Sequence, residues 1–234
     1  MTEPLTYEAR DGVALLTMDD GKANALNDSM LGALEAALDR AEAAGLAVVV
    51  AGRAGRFSAG FDLKVMMSSP DAVQALVTRG SELCLRLYAF PRPVVAACTG
   101  HALAAGALVL LSCDKRIGAE GDFKLGLNEV AIGMILPQFA VSLVEDRINK
   151  RQFAESLLGA QLYAPNDAVH AGYLDEVVSS GSVIERAMAE AARLAALPPH
   201  AYAGTKAKLR GKRIAEIRAY LPTDMANLGA PTTR

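Results

Sequence analysis

The amino-acid sequence predicts an α/β protein in which mostly parallel strands alternate with helices. Residues 47–51 and 93–97 are short, apolar runs rich in Val and Ala, a composition typical of strands buried on both faces. A helical pattern at residues 71–88 lies between them. Apolar strands that alternate with helices of a dozen or more residues indicate a layered α/β fold.

The N-terminal part continues this alternation. Residues 13–18 have the apolar composition of a strand, and Leu31, Leu34 and Leu38 then recur at helical spacing. Asn27 stands just before this helix, where its side chain can accept a hydrogen bond from an unpaired backbone N–H group. We therefore predict a strand followed by a capped helix.

The C-terminal part is predicted to be helical. Strand patterns end near residue 182, and Val183 and Ala187 continue one apolar helical face. We therefore divide the chain into an α/β core at residues 1–181 and a helical C-terminal region at residues 182–234.

Charge and composition argue against several classes of protein. The 234 residues carry a net charge of −2, which gives no attraction to nucleic acid or to an anionic membrane. The N-terminal residues lack the apolar segment of a signal peptide, and no later stretch has the length of a membrane span, so we expect a cytoplasmic protein.

The three cysteines, Cys84, Cys98 and Cys113, lack the spacing of a metal site. We interpret them as buried free thiols and expect no metal.

Two segments rich in small residues follow the predicted buried strands, at junctions where α/β proteins often bind ligands. Residues 52–64 carry too many glycines for a helix, so their backbone N–H groups can face a ligand; a plain glycine-rich turn is the alternative. Residues 100–114 predict a turn and then a buried helix, whose first N–H groups are unpaired and attract negative charge. Close packing of helix on sheet is the alternative there.

A third segment, residues 122–137, contains a glutamate in an apolar context. Glu129 is flanked by Leu127 and Val130, so burial should raise its pKa if the side chain faces inward. It is then a candidate general base, and an ordinary glutamate facing solvent at a helix start is the alternative. By contrast, His101 is interpreted as a packing or hydrogen-bonding residue, and Asp62 and Asp114 as residues that brace loops.

Together the three segments resemble the motifs of the crotonase superfamily. The sequence Phe-Ser-Ala-Gly-Phe-Asp-Leu at residues 57–63, the segment 100–114 and Gly-Leu-Asn-Glu at residues 126–129 occur in the order and at the spacings of that superfamily. The resemblance covers nearly the whole chain. It implies a spiral of β-β-α units with a helical C-terminal region, and a substrate that is an acyl-thioester of coenzyme A.

The resemblance also implies which residues form the site. The backbone N–H groups of Phe61 and Ala105 correspond to an oxyanion hole, in which one donor typically contributes about 3–4 kcal/mol to catalysis. Ala105 stands where glycine is usual, which alanine tolerates only at negative φ. The substrate-contacting positions are Ala59, Gly60, Asp62, Leu63, Leu108 and Asn128.

One departure from the hydratase pattern favours a particular reaction. Hydratases of the superfamily use two glutamates, and this chain has Leu108 at the first position and Glu129 at the second. A lone carboxylate suits a proton shift between two carbons better than the addition of water. The pattern around Gly133 and Pro137 also looks like the Δ3,Δ2-enoyl-CoA isomerase branch, which implies that Glu129 moves a proton from C2 to C4.

Two other functions stay open on the sequence: an enoyl-CoA hydratase, and an acyl-CoA-binding protein without turnover. No cofactor is expected, since coenzyme A is part of the substrate. The resemblance implies a homotrimer or hexamer. The basic stretch at residues 206–218 either contacts the phosphates of coenzyme A or forms a solvated helix face.

Overall fold

The computed structural model describes residues 3–226 as two sheets surrounded by helices. The strands are β1 (Leu5–Arg10), β2 (Val13–Met18), β3 (Ala47–Gly52), β4 (Gly55–Ser58), β5 (Val94–Cys98), β6 (Gly100–Leu103), β7 (Lys115–Ala119), β8 (Leu125–Gly126) and β9 (Glu176–Val178). The α-helices are α1 (Asp28–Ala43), α2 (Leu63–Met66), α3 (Pro70–Ala89), α4 (Ala105–Ser112), α5 (Gln138–Arg147), α6 (Phe153–Leu157), α7 (Pro165–Ala171), α8 (Val183–Ala195) and α9 (Pro199–Ala226). Residues 1–2 of the predicted core and 227–234 of the predicted C-terminal region lie outside the described residues.

Three successive β-β-α units connect the two sheets. The larger sheet has the strand order β1-β2-β3-β5-β7-β9, and the smaller sheet has the order β4-β6-β8. All neighbouring strands are parallel except β1 and β2. The strand pairs β3/β4, β5/β6 and β7/β8 each contribute one strand to each sheet, which confirms the predicted spiral of β-β-α units.

The strands at the centre of the larger sheet are buried on both faces, as predicted. Val48 and Val50 of β3 belong to the main core, while Val49 points to the opposite face and packs with α8. Helix α8 covers that face with residues that include Ala187 and Ala191. The predicted helices also form, and Asn27 caps α1 by accepting a hydrogen bond from the Met30 N–H.

The segment that begins at Gly100 differs from its prediction. Instead of a turn, it forms β6, and the helix begins only at Ala105. A Cβ atom on Gly100 would collide with the backbone of Gly55, so the glycine allows β6 to pair closely with β4. The small residues of this segment therefore serve both close packing and the start of a buried helix.

No helix within residues 3–226 combines the length and the apolar character that a membrane crossing requires. The same residues contain no group of three or more His, Cys, Asp or Glu side chains that could hold a metal ion. The three cysteines are buried as free thiols.

Candidate active site

The three predicted segments meet at the carboxyl edge of the smaller sheet. Strands β4, β6 and β8 are parallel, with Arg56 paired to His101 and Leu103 paired to Gly126. The chain therefore leaves all three strands on the same side. The segments that follow them carry Phe61, Ala105 and Glu129, respectively.

A glycine brings the first two segments into contact. Gly60 has a φ of 93°, and a Cβ atom at this position would lie 3.1 Å from the Ala105 nitrogen and 2.9 Å from the Ala104 Cβ. A side chain at position 60 would push the two segments apart. The contact places the backbone of Phe61, one residue further on, beside the start of α4.

The Phe61 N–H group is left unpaired by a parallel bridge to Leu26. The Leu26 N–H donates to the Gly60 carbonyl at 2.8 Å, and the Asp62 N–H donates to the Leu26 carbonyl at 3.1 Å. In this arrangement the N–H of Phe61 points away from Leu26. It has no hydrogen-bond acceptor among the described residues.

The second candidate donor is the Ala105 N–H, at the first position of α4. The first N–H groups of a helix have no intrahelical acceptor, and Ala105 has none elsewhere in the described chain. Ala105 does not have a positive φ, which meets the condition for alanine at this position. The positive φ falls on Ala104 instead, with φ 51° and ψ −128°, a strained conformation that costs about 1–3 kcal/mol.

Two buried polar residues hold these segments in place. The Ser58 hydroxyl donates to the Asn24 carbonyl at 2.8 Å and accepts a hydrogen bond from the Gly60 N–H at 3.2 Å. The Asn24 side chain donates to the carbonyls of Met18, Arg56 and Phe57. These roles of Asn24 and Ser58 could not be predicted from the sequence, because their motif positions do not reveal which carbonyls their side chains reach.

Glu129 lies half-buried after β8, with one oxygen of its carboxylate lacking a partner. Its Oε2 atom is buried and has no hydrogen-bond partner among the described residues. Burial raises the pKa of Glu129 to about 7, while the backbone N–H groups of Asn128 and of Glu129 itself act in the opposite direction. The raised pKa is the one expected for a carboxylate that faces inward, and the role of Glu129 as a general base stays a prediction. The Asn128 Oδ1 atom is also buried without a partner in the same part of the chain.

The remaining predicted contact residues differ in exposure. Leu108 is buried in α4, whereas Ala59 and Leu63 are exposed on the glycine-rich segment. Asp62 caps α2 by accepting a hydrogen bond from the Lys64 N–H at 2.8 Å, which confirms its bracing role. The contacts of these residues with a substrate stay predictions.

His101 and Asp114 also behave as predicted. The His101 Nδ1 atom accepts a hydrogen bond from the Lys124 N–H at 3.0 Å, and its ring meets the edge of Phe123. Asp114 lies at the start of β7 and accepts a hydrogen bond from the Val94 N–H at 2.8 Å. Both residues therefore brace their surroundings.

Two residues of the basic stretch, Lys206 and Arg210, are buried and form ion pairs with Asp114. The predicted contact with the phosphates of coenzyme A is therefore wrong for these two residues. The Lys206 Nζ atom lies 2.6 Å from Asp114, and the Arg210 Nη1 atom lies 2.7 Å from it. Lys206 also donates to the carbonyl of Phe90, just beyond α3. A buried carboxylate and the carbonyls at a helix end attract these cations inward. For the exposed Lys208 the contact stays a prediction.

Known proteins resemble this chain over nearly its whole length. A model of the enoyl-CoA hydratase/isomerase family matches residues 8–233. Human mitochondrial enoyl-CoA delta isomerase 1 is 32% identical over 225 residues, which cover 94% of this chain and 74% of that protein. A probable enoyl-CoA hydratase of Bacillus subtilis is 32% identical over 223 residues, with coverage of 93% and 86%. A crystal structure of an enoyl-CoA hydratase/isomerase family protein from Pseudomonas syringae matches with a TM-score of 0.94 at 41% identity, with coverage of 96% and 98%.

Proposed function

Since the chain belongs to the enoyl-CoA hydratase/isomerase family, we propose that it converts 3-enoyl-CoA to trans-2-enoyl-CoA by a proton shift on Glu129. The observation that carries the proposal is a half-buried carboxylate with one buried, unpaired oxygen at the edge where two backbone N–H groups lack acceptors among the described residues. Leu108, one turn into α4, is buried and apolar where a hydratase has its first glutamate. A lone carboxylate can accept a proton and return it, whereas hydration also needs a second group to position water.

The proposed mechanism uses backbone and side chain for different tasks. The N–H groups of Phe61 and Ala105 donate hydrogen bonds to the thioester oxygen, which stabilises the negative charge that forms on it. The Glu129 carboxylate removes a proton from C2, and the electron pair delocalises over a dienolate. Glu129 then returns the proton to C4, and the double bond moves to C2. Coenzyme A enters as part of the substrate, and the reaction needs no further cofactor.

The raised pKa of Glu129 sets the expected pH dependence. The base must be ionised, and the pKa of about 7 means that the carboxylate is mostly protonated below neutrality. The value of kcat/KM for isomerisation should therefore reach half of its maximum near pH 7 and level off about one pH unit higher.

A hydratase is the second candidate, because relatives with both names match at 32% identity. The test is a side-by-side assay of the purified protein on 3-enoyl-CoA and on crotonyl-CoA. We expect isomerisation to be far faster than hydration. Faster hydration would favour the second candidate, and tight binding of both thioesters without turnover would favour a binding protein.

We also propose that the protein assembles into a homotrimer or hexamer. Exposed apolar side chains that include Ile135 and Leu158 flank an apolar groove of about 630 Å³ on the protomer, the kind of surface that partners cover. Sedimentation in dilute buffer tests the assembly. A monomer with full turnover would contradict it.

A further inference from the structure

A glycine in the middle of α3 lies directly against the ring of Phe61. Gly80 is buried, and a Cβ atom on it would lie 2.3 Å from the Cε1 atom of Phe61 and 2.5 Å from its Cζ atom. Both distances are far shorter than a normal contact between carbon atoms, so the end of the ring occupies the space that any side chain at position 80 would need. We refer to this contact between Gly80 and the Phe61 ring as the ring notch.

The backbone of α3 does not itself require a glycine at position 80. The residue lies inside a helix that spans Pro70–Ala89, and it does not have a positive φ. Glycine in a helix interior is less favourable than alanine, because glycine loses more conformational freedom on folding. The close approach of the Phe61 ring is therefore the feature of the structure that excludes a larger residue from this position.

The ring notch restrains the residue that carries one of the two proposed oxyanion donors. The Leu26 N–H donates to the Gly60 carbonyl at 2.8 Å, and the Asp62 N–H donates to the Leu26 carbonyl at 3.1 Å. The Gly60 carbonyl and the Phe61 N–H belong to one planar peptide, so the first of these hydrogen bonds turns the Phe61 N–H away from Leu26. Both hydrogen bonds hold the backbone of Phe61 against Leu26, and neither acts on its side chain.

The side chain of Phe61 connects the same residue to α3 and to the main core. An oxyanion donor must lie about 2.7–3.1 Å from the oxygen that it stabilises, and well-packed supporting residues hold such groups to within about 0.5 Å. A methyl group on Gly80 would displace the ring by about 1 Å, because carbon atoms in contact are about 3.5 Å apart or more. The displacement of the ring is thus larger than the tolerance of the donor.

We propose that Gly80 is a positioning residue, which admits the ring of Phe61 into α3 and thereby holds the Phe61 N–H where it can donate to a thioester oxygen. The residue acts through Phe61 and touches no reacting atom. The inference rests on the proposed function, because it assigns Gly80 a part in the proposed oxyanion hole.

The first test is Gly80→Ala, measured by steady-state kinetics of isomerisation. We expect kcat to fall about tenfold, which is part of the 10²–10³-fold that loss of a whole donor costs. The value of KM should change less than about twofold, since the donor acts mainly on the charge that develops in the transition state. The matched control is Gly211→Ala in α9, where a Cβ atom would meet no atom within 4 Å. The control should leave kcat and KM in place.

A second substitution separates the position of the ring from a general loss of packing. Phe61→Leu removes the Cε1 and Cζ atoms, which are the two that would collide with a methyl group at position 80, and it keeps the backbone N–H. The Cδ1 atom of Phe61 lies 3.6 Å from that methyl position, which is an ordinary contact. The variant with both Gly80→Ala and Phe61→Leu should therefore recover most of the kcat that Gly80→Ala loses. Equal kcat values in these two variants would overturn the inference.

The infrared band of a bound thioester provides a readout that does not depend on turnover. Hexanoyl-CoA labelled with ¹³C at the thioester carbon has no double bond to move, and hydrogen bonds to its oxygen shift the carbonyl band to lower frequency. Gly80→Ala should retain less of this shift than the wild-type protein, whereas Gly211→Ala should retain all of it. An unchanged band in folded Gly80→Ala overturns the inference, and so does a wild-type protein that leaves the band of the free thioester unshifted.

If Gly80→Ala does not fold, Phe61→Ala replaces it. This variant keeps the backbone N–H and removes the ring, so the band should again lose part of its shift, and an unchanged band overturns the inference. A shift that is reduced in the variant, together with absent isomerisation, would contradict the proposed reaction alone. Isomerisation with equal bands in variant and wild type would contradict only the role of Gly80. The two failures are therefore distinguishable.

Discussion

Glu129 and Asp114 each have a carboxylate with a buried oxygen atom, but their surroundings are opposite. Asp114 lies where β7 begins and is surrounded by Lys206, Arg210 and the Tyr202 hydroxyl. Glu129 follows the carboxyl end of β8, and its Oε2 atom has no partner in the described chain. The first carboxylate joins α9 to the core, while the second has a raised pKa and is available for proton transfer.

The difference shows that the ion-pair and hydrogen-bond partners of a buried carboxylate, more than its burial, determine whether it stabilises the fold or can act as a base. Two cations and a hydroxyl group compensate the charge of Asp114, so that carboxylate stabilises the fold. Burial of Glu129 without a cation makes its ionised form less stable, which makes the group a better base near neutral pH. Replacement of each carboxylate by its amide should therefore have opposite consequences.

The largest expected effect is on the activity of Glu129→Gln. Removal of the proposed base should lower kcat for isomerisation by about 10²–10⁴-fold, the usual contribution of general acid–base catalysis. Binding of the CoA thioester should persist because the oxyanion donors are backbone groups. Steady-state kinetics and calorimetric binding measure the two effects, and the exposed Glu155→Gln serves as the control. Near-full turnover by Glu129→Gln would show that another group moves the proton.

The next effect is on the stability of Asp114→Asn. The variant leaves the buried cations of Lys206 and Arg210 without their counterion, so the free energy of unfolding should fall by about 3–5 kcal/mol. Denaturation in urea measures the change. The control is Asp39→Asn at an exposed ion pair with Arg86, where the loss should stay below about 1 kcal/mol. Equal losses in the two variants would remove the contrast between a buried and a surface carboxylate.

Glu129→Gln should change the free energy of unfolding by less than Asp114→Asn does, and in the opposite direction. Glu129 has a pKa of about 7 in the folded protein against an ordinary value of 4.5, so the folded state holds the extra proton between these pH values. The ionisation of Glu129 therefore lowers stability as pH rises through this window. The amide variant avoids that loss and should be more stable than the wild-type protein by about 2–3 kcal/mol at pH 8 and nearly equal at pH 4. Urea denaturation at both pH values tests this, and a variant destabilised at pH 8 would contradict it.

The smallest expected effect is that of Tyr202→Phe. The Tyr202 hydroxyl donates to Asp114 at 2.9 Å, and its loss leaves Asp114 with both cations. The free energy of unfolding should fall by about 1–2 kcal/mol, with isomerase activity unchanged. Tyr220→Phe, at an exposed tyrosine, is the control for thermal unfolding. A loss as large as that of Asp114→Asn would mean that the hydroxyl, and not the ion pairs, stabilises the carboxylate.

Much of the fold could be predicted from the sequence because local patterns determine it. Apolar runs such as residues 47–51 identify strands buried on both faces, and Asn27 identifies a helix start. The raised pKa of Glu129 was also predictable, since its neighbours in sequence are apolar. These features depend on residues close together along the chain.

The features that could not be predicted depend on contacts between distant segments. The sequence does not reveal that Gly60 approaches Ala105, that the strained φ falls on Ala104, or that Lys206 reaches inward to Asp114. Such contacts depend on the register of the sheets, which hydrophobic periodicity alone does not determine.

The smaller sheet also has a consequence for the order of folding. Its pairing of Gly55 with Gly100, and of Leu103 with Gly126, joins segments that are far apart in sequence, and closure of the intervening loops is slow and entropically unfavourable. The two backbone donors therefore come together only once β4 and β6 have paired. A ligand that binds both donors stabilises the complete fold and does not stabilise partly folded states. Its binding therefore shifts the equilibrium towards the complete fold.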